Sequence, residues 1–207
     1  MRKRCCEEFL LSAKSIQRSE GLHARRALSN DERLSASTAI AENVFRTAFF
    51  CRATNIGCYL PARDEVDTWP IIKRAWLMKK RVFVPRIQKK SHMQLVRLKP
   101  ESQLVSNIFG LDEPDEDEIL PPMRLDLFLT PLAAYDLSGN RIGMGGGYFD
   151  RTFAFLSHRQ LFLRPKLVGL AFACQEVHGI DASPWDIPLF SVLTENGPIQ
   201  ISTPVHR

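Results

Sequence analysis

The chain has 207 residues, 44% of them hydrophobic and 25% charged, which suits one globular domain with a real core. Its net charge of +5 favours anionic partners such as nucleotides, polyglutamates or nucleic acid, without choosing among them. Five cysteines, Cys5, Cys6, Cys51, Cys58 and Cys174, with no C-x-x-C spacing, exclude a disulfide framework and a structural zinc site, and point to a reducing cytoplasm.

The start, "MRKRCCEEFLL", is basic, but its glutamates interrupt any apolar core, so no secretory signal is expected. The longest apolar runs, such as residues 125–129, are too short to span a bilayer. Residues 12–28 read as a helix. "SNDE" at 29–32 matches a capping box, so a second helix is predicted from there to about Phe50. "NIGCYL" at 55–60 has strand length and apolarity. In "DTWPIIKRAWLMKK" Thr68 is the predicted helix cap, Pro70 suits a first turn, and Lys79 and Lys80 suit a C-terminus. "RVFVPRI" and "MQLVRL", joined by the polar "QKKSH", predict a hairpin. The acidic run 112–118 is read as a solvated loop rather than a lid. "RLDLFLTPLAAYD" predicts a buried strand closed by a turn at "LSGN". A glycine loop, a helix over about 148–158, the strand "KLVGLAFA", the loop "SPWDIP" and a last strand "LFSVLTE" follow. Strands alternating with helices, several continuously apolar, predict a single-domain three-layer α/β/α sandwich, Rossmann-like, around a mostly parallel sheet. Ligands in such sheets sit at the carboxyl ends of the strands, where the glycine loop is expected.

That loop is "RIGMGGGYFDR", residues 141–151, with Gly143, Gly145, Gly146 and Gly147 inside it. Glycines let backbone N–H groups point into a shared concavity, and a following helix adds its positive end, so the pattern suits a phosphate cradle. A tight connection is the alternative. No G-K-[ST] closes the loop as in a Walker A, and the spacing is not a dinucleotide fingerprint. Asp150 is read either as a carboxylate suited to a first helical turn or as a Mg²⁺ ligand. Arg141 and Arg151 bracket the loop as candidate phosphate partners.

"TPLAAYDLSGNRIGMGGGYFDR" resembles the signature of the 5-formyltetrahydrofolate cyclo-ligases, also called methenyltetrahydrofolate synthetases. "AKSIQR", "YLPARDEVDT", "SHMQLVRL" and "SPWDIPLFSVLTE" resemble further blocks of that family, in its bacterial form. The likeness covers about 13–195, which sets apart residues 1–12 as an extension, 13–200 as the domain and 201–207 as a tail. It implies ATP- and Mg²⁺-dependent conversion of 5-formyltetrahydrofolate to 5,10-methenyltetrahydrofolate, by phosphorylation of the formyl oxygen and ring closure. Lys14, Arg18, Arg141, Gly143, Met144, Gly145, Gly146, Gly147, Tyr148 and Phe149 would then bind ATP. Arg18, Leu60, Glu65 and Met93 would meet the folate, and Asp150 and Asp186 the metal. Arg141, Tyr148 and Asp150 would act in catalysis.

Some relatives carry Arg or Lys within the glycine loop, where this chain has Met144 and Gly146, and Phe149 replaces a frequent tyrosine. Without the resemblance, Lys14 and Arg18 are a solvated basic face, Leu60 and Met93 are core, and Glu65 is a loop acid. Tyr148 and Phe149 either stack on a ring or fill the core. The competing function is a non-catalytic nucleotide- or RNA-binding protein. The paired carboxylates Asp150 and Asp186 speak against it, because a polyanion binder gains nothing from them without a metal. Small molecules are the expected partners, with no membrane, no required nucleic acid, and a monomeric state.

Overall fold

A computed structural model describes residues 2–62, 64–88, 92–107, 110–158 and 164–201; the side chains of 2–12 and of Gln88, His92, His158 and Gln200 are outside it. In chain order the elements are α1 (Arg2–Ala27), α2 (Asn30–Arg46), α3 (Ala48–Arg52), β1 (Asn55–Gly57), α4 (Trp69–Leu77), β2 (Arg81–Gln88) and β3 (His92–Leu98). Then come β4 (Leu104–Ser106), β5 (Asp112–Pro114), β6 (Leu127–Pro131), β7 (Ala134–Tyr135), β8 (Arg141–Ile142), α5 (Tyr148–Phe153), β9 (Lys166–Leu170), β10 (Ser191–Thr194) and β11 (Gly197–Gln200). Among the described residues no helix is long and apolar enough to cross a membrane.

The sheet has seven strands in the order β11-β10-β9-β6-β1-β2-β3. The five from β10 to β2 run parallel, and β3 and β11 are antiparallel edges. Strands alternate their side chains between faces, so each parallel strand feeds two cores. Val82 and Val84 of β2, with Leu127 and Leu129 of β6, pack beneath α2 and α4 against Ile40, Val44, Ile71 and Ile72. Phe83 and Phe128 point the other way, onto Phe153 of α5. This is the predicted three-layer, single-domain α/β fold. Chain order reverses between β1 and β6: β2 lies beyond β1 on one side, and β9 and β10 lie beyond β6 on the other. Such a switch point opens a crevice at the carboxyl ends of the two central strands.

The expected capping box is present. Ser29 Oγ accepts from the Glu32 amide, and Glu32 accepts from the Ser29 amide at 2.8 Å. The helix it starts ends at Arg46, and a separate turn, α3, continues to Arg52. Thr68 holds the cap position of α4 but caps nothing. Its hydroxyl donates to Tyr59 O at 2.7 Å, and Asp67 Oδ1 accepts the Trp69 amide instead. Lys80 turns inward to donate to Cys51 O and Ala53 O, closing the end of α3.

Three corrections concern short strands. Part of the acidic run is β5, paired antiparallel with β4, where a solvated loop was expected. Glu113 of β5 is buried and accepts the Ile87 amide, which ties the ribbon to the end of β2. The last strand is β11, not the "LFSVLTE" segment that precedes it. The glycine loop does not leave the central sheet directly; the two-stranded β7–β8 ribbon intervenes after β6. Helix α1 also starts far earlier than expected, at Arg2, and the tail 202–207 lies outside the described residues.

Helix α1 lies across the carboxyl edge of the sheet on β7. Its closest approach is at Gly21, where any Cβ would collide with Ala133 O and press on Ala134. Only glycine permits that contact, and it sets how close the helix comes to the crevice.

Candidate functional site

The crevice is built from its turn outward. Asp136, buried at the end of β7, collects four donors. Its Oδ1 accepts from the Ser138 and Asn140 amides, both at 2.9 Å, and its Oδ2 from Asn140 Nδ2 and the Ile180 amide, both at 2.8 Å. A carboxylate held this way fixes the direction in which β8 emerges. The sequence signal for it was the Asp-Leu-Ser-Gly-Asn turn, whose support for the loop goes beyond closing a strand.

Beyond β8 the backbone is bare. Met144, Gly145 and Gly146 are exposed, and Gly145 has φ +94°, a conformation L side chains rarely adopt. None of the N–H groups of residues 143–147 has a hydrogen-bond partner among the described residues. Helix α5, which starts at Tyr148, has six residues and no side-chain cap, and Arg151 folds back over its start to donate to Gly146 O and lie over the Tyr148 ring. Unpaired amides on a glycine-rich turn form a concavity for an anion. Arg18 of α1 donates through Nε to Gly143 O at 2.8 Å, and its guanidinium carbon lies 3.7 Å from where a Gly145 Cβ would stand.

Two carboxylates stand behind this loop. Asp150 Oδ1 accepts from Arg141 at 2.7 Å and from the Ile187 amide at 3.3 Å. Asp186 Oδ2 accepts from Lys14 at 2.7 Å and from the Ser183 amide at 2.8 Å. The fold therefore joins Asp150 to the residue immediately after Asp186, although they are 36 positions apart in the chain. Each carboxylate commits one oxygen; the Asp150 Oδ2 and Asp186 Oδ1 atoms have no partner among the described residues. No group of three or more His, Cys, Asp or Glu that could hold a metal occurs there. Two free carboxylate oxygens suit an ion that brings its remaining ligands on a substrate phosphate, as Mg²⁺ does. Arg141, with a side chain 6% exposed, is committed to Asp150 and to Ile187 O. Lys14 also donates to Ser183 Oγ at 2.8 Å.

Across the switch point the site changes character. A cleft of about 410 Å³ is lined by Arg33, Ser37, Pro61, Glu65, Asp67 and Trp69. A smaller hollow of about 210 Å³ adjoins it and is lined by Leu60, Trp69 and Leu111 among others. The first lies in the range of small-molecule sites. Glu65 accepts the Ala62 amide at 3.0 Å, and its carboxyl sits above the ordinary range because burial disfavours the charge. Arg25 of α1 lies 3.8 Å from Glu65, both side chains being buried. Burial pushes the Cys58 thiol nearby up to about 12, which makes it inert at neutral pH.

Helix α1 thus carries Lys14, Arg18, Gly21 and Arg25 along one face, at spacings of three and four residues, and touches both halves of the crevice. Of the expected substrate positions, Leu60 and Glu65 line the hollows. Met93 does not; it packs in the second core with Phe83 and Phe128, on the face where α5 lies. Phe149 contacts Phe128 with ring centroids 5.6 Å apart, and Tyr148 packs against the same core beneath Arg151. Arg25 and Asp136 had no place in the sequence reading. "HARRA" reads as a surface helix face, and only the fold buries its first arginine.

Comparison with known proteins agrees with this geometry. The model of the 5-formyltetrahydrofolate cyclo-ligase family matches residues 11–195. The chain is similar to the 5-formyltetrahydrofolate cyclo-ligase of Escherichia coli K12, at 36% identity over 82% of this chain and 93% of the relative. A similar match, 36% identical, links it to the Haemophilus influenzae cyclo-ligase over 69% of this chain and 76% of the relative. Its fold superposes on the solved 5,10-methenyltetrahydrofolate synthetase of Aquifex aeolicus with a TM-score of 0.77 and 29% identity, covering 94% of this chain and 99% of that one.

Proposed function

Since the chain belongs to the 5-formyltetrahydrofolate cyclo-ligase family, we propose that it closes 5-formyltetrahydrofolate to 5,10-methenyltetrahydrofolate at the expense of ATP. The observation that carries the ATP half is the run of unpartnered amides from Gly143 to Gly147, together with two carboxylates that each keep one oxygen free.

An N-formyl oxygen leaves poorly, so it is first phosphorylated by the γ-phosphate. Nitrogen 10 then attacks the activated carbon, the five-membered ring closes, and phosphate departs with the former formyl oxygen. Such a transfer asks the protein for positioning and charge neutralisation. The loop amides hold the phosphate oxygens, and Arg18, anchored on Gly143 O, adds positive charge beside Gly145. Lys14, one turn before Arg18 on the same helix face, aims Asp186. Arg141 and the Ile187 amide fix Asp150. Mg²⁺ held at Asp150 and Asp186 would supply neutralisation of the triphosphate. On the other side Glu65 accepts N–H groups of the pterin ring, with Leu60 against its apolar face. Met93 supports the loop side from the core rather than touching the ring. Tyr148 and Phe149 lock the helix start onto Phe128 and exclude water beneath the phosphates.

The test is absorbance in the methenyl-folate band with purified protein, 5-formyltetrahydrofolate and Mg²⁺. An ATP-dependent rise abolished by EDTA is expected. No rise from folded protein overturns the activity and leaves a nucleotide-binding α/β protein.

A further inference from the structure

Arg25 is buried, and Glu65 is its one ion-pair partner among the described residues. Its side chain is 7% exposed, its Nε is fully buried without a partner, and no described group accepts a hydrogen bond from it. Burying a guanidinium without acceptors is costly, so a chain that does it keeps the charge for something. What lies against it is Glu65, 14% exposed, at 3.8 Å. That separation is too long for a hydrogen bond and short enough for a strong field in a buried setting. Glu65 Oε2 is taken by the Ala62 amide, while Oε1, the atom facing Arg25, has no hydrogen-bond partner among the described residues.

We infer that Arg25 is a positioning residue for substrate binding: it holds the cleft-lining Glu65 as a charged acceptor without consuming the oxygen that must receive a ring N–H. The inference rests on the reading of Glu65 as the pterin acceptor. A closer, bidentate arginine would occupy both carboxylate oxygens and leave none for a ligand. An absent arginine would let burial neutralise the acid, and a neutral carboxyl binds an N–H group weakly.

The surrounding charges agree. Burial raises the Glu65 carboxyl and Asp64 beside it raises it further, while the Ala62 amide and Arg25 oppose them. Arg26 and Arg33, the other described cations nearby, pair with Asp64 instead. Tyr59, against the same group, is neutral because burial pushes its phenol far up. Asp67 is turned to the Trp69 amide. Cys174, whose thiol also senses Arg25, is raised by burial and by Glu195 and stays neutral. Arg25 is therefore the cation that acts directly on Glu65 from the packed elements described.

Sign follows from the geometry. Glu65 must be ionised to bind, so affinity for 5-formyltetrahydrofolate is present above its folded pKa and fades as pH falls through it. Without Arg25 that pKa rises, and the acid limb moves toward neutral pH. The experiment is the pH profile of kcat/KM for 5-formyltetrahydrofolate in the wild type, Arg25→Met, Arg25→Lys and Glu65→Gln, with thermal unfolding of each as a check on folding. In Arg25→Met the acid limb should move up by about one pH unit or more, and the folate KM near neutrality should rise at least about tenfold. The KM for ATP should not change. Arg25→Lys should restore most of the limb, since it restores the charge. Glu65→Gln should abolish it.

A folded Arg25→Met enzyme whose limb coincides with that of the wild type overturns the inference, as does an equal rise in both KM values, which marks a merely structural role. Should Arg25→Met fail to fold, Arg25→Gln carries the test: an acid limb raised by about one pH unit with a selective rise in the folate KM supports the role, and a wild-type limb overturns it. If Glu65→Gln keeps the wild-type limb and folate KM, the reading of Glu65 itself fails, and the inference falls with it for that separate reason.

Discussion

The two halves of the crevice use acid–base pairs in opposite ways. On the loop side Asp150 and Asp186 meet Arg141 and Lys14 at 2.7 Å, partly open to water, with each cation spent on one carboxylate oxygen. On the cleft side Glu65 and Arg25 are buried and kept apart at 3.8 Å. Tight pairs fix geometry and suit a ligand that arrives with its own charges and ion. A loose buried pair preserves a charge and suits an uncharged ring edge that must be recognised by hydrogen bonds. The same residue types thus do two jobs, set by distance and burial.

The largest effect should come from the tight pair. Asp150→Ala leaves Arg141 with Ile187 O alone and removes one free carboxylate oxygen, so kcat should fall by about 10²–10³-fold while the Kd for folate holds. Steady-state kinetics with folate binding measured without ATP will check this, and unchanged turnover would sink the role given to Asp150. Gly21→Leu attacks what the two halves share. Its side chain must push α1 off Ala133, which should cost about 1–3 kcal/mol of stability and raise the KM of both substrates in what remains folded. A selective rise in one KM would show that α1 serves only one half. Gly145→Val touches the loop alone. At φ +94° a β-branched residue is strained by about 1–3 kcal/mol, so the loop should rearrange, raising the ATP KM about tenfold with little change in Tm. Isothermal titration with a non-hydrolysable nucleotide gives the direct reading. Ser29→Ala lies far from both halves and calibrates the rest. Losing the cap should cost about 1 kcal/mol in urea unfolding and leave both KM values alone. Glu32, held below its ordinary value of 4.5 by Ser29, supports that cap above this pH and releases it as acid protonates the carboxyl.

Legibility of the fold followed the length of its elements. The parallel strands are short continuous apolar runs, and the capping box is a local pattern, so both stand out in the sequence. Two of the missed strands, β5 and β11, contain prolines, which argue against strand in general. Pro114 sits in the two-stranded β4–β5 ribbon and Pro198 in the edge strand β11, the places where a missing N–H is tolerated. Pro85 of β2 lies beyond the last residue that pairs with β1, so it interrupts no central ladder. The site divided differently. The glycine loop and its aspartates were readable because their chemistry is contiguous or matched a known signature. The Arg25–Glu65 pair was not, since two residues 40 positions apart meet only when α1 crosses the switch point. Met93, expected at the ring, belongs to a core whose members alternate along β3, and the alternation does not say which face receives a ligand.

One face of α1 reaching both halves makes that helix a device of fixed phase. Each residue advances the chain 1.5 Å and turns it by about 100°, so Lys14 and Arg25 are held roughly 16 Å apart and nearly in line. A single residue inserted between Arg18 and Gly21 would rotate Lys14 and Arg18 by about a quarter turn relative to Arg25, with every side chain still present. The segment can vary in composition on its outer surface, but its length is locked, much as a key tolerates wear on its bow and none in the spacing of its teeth.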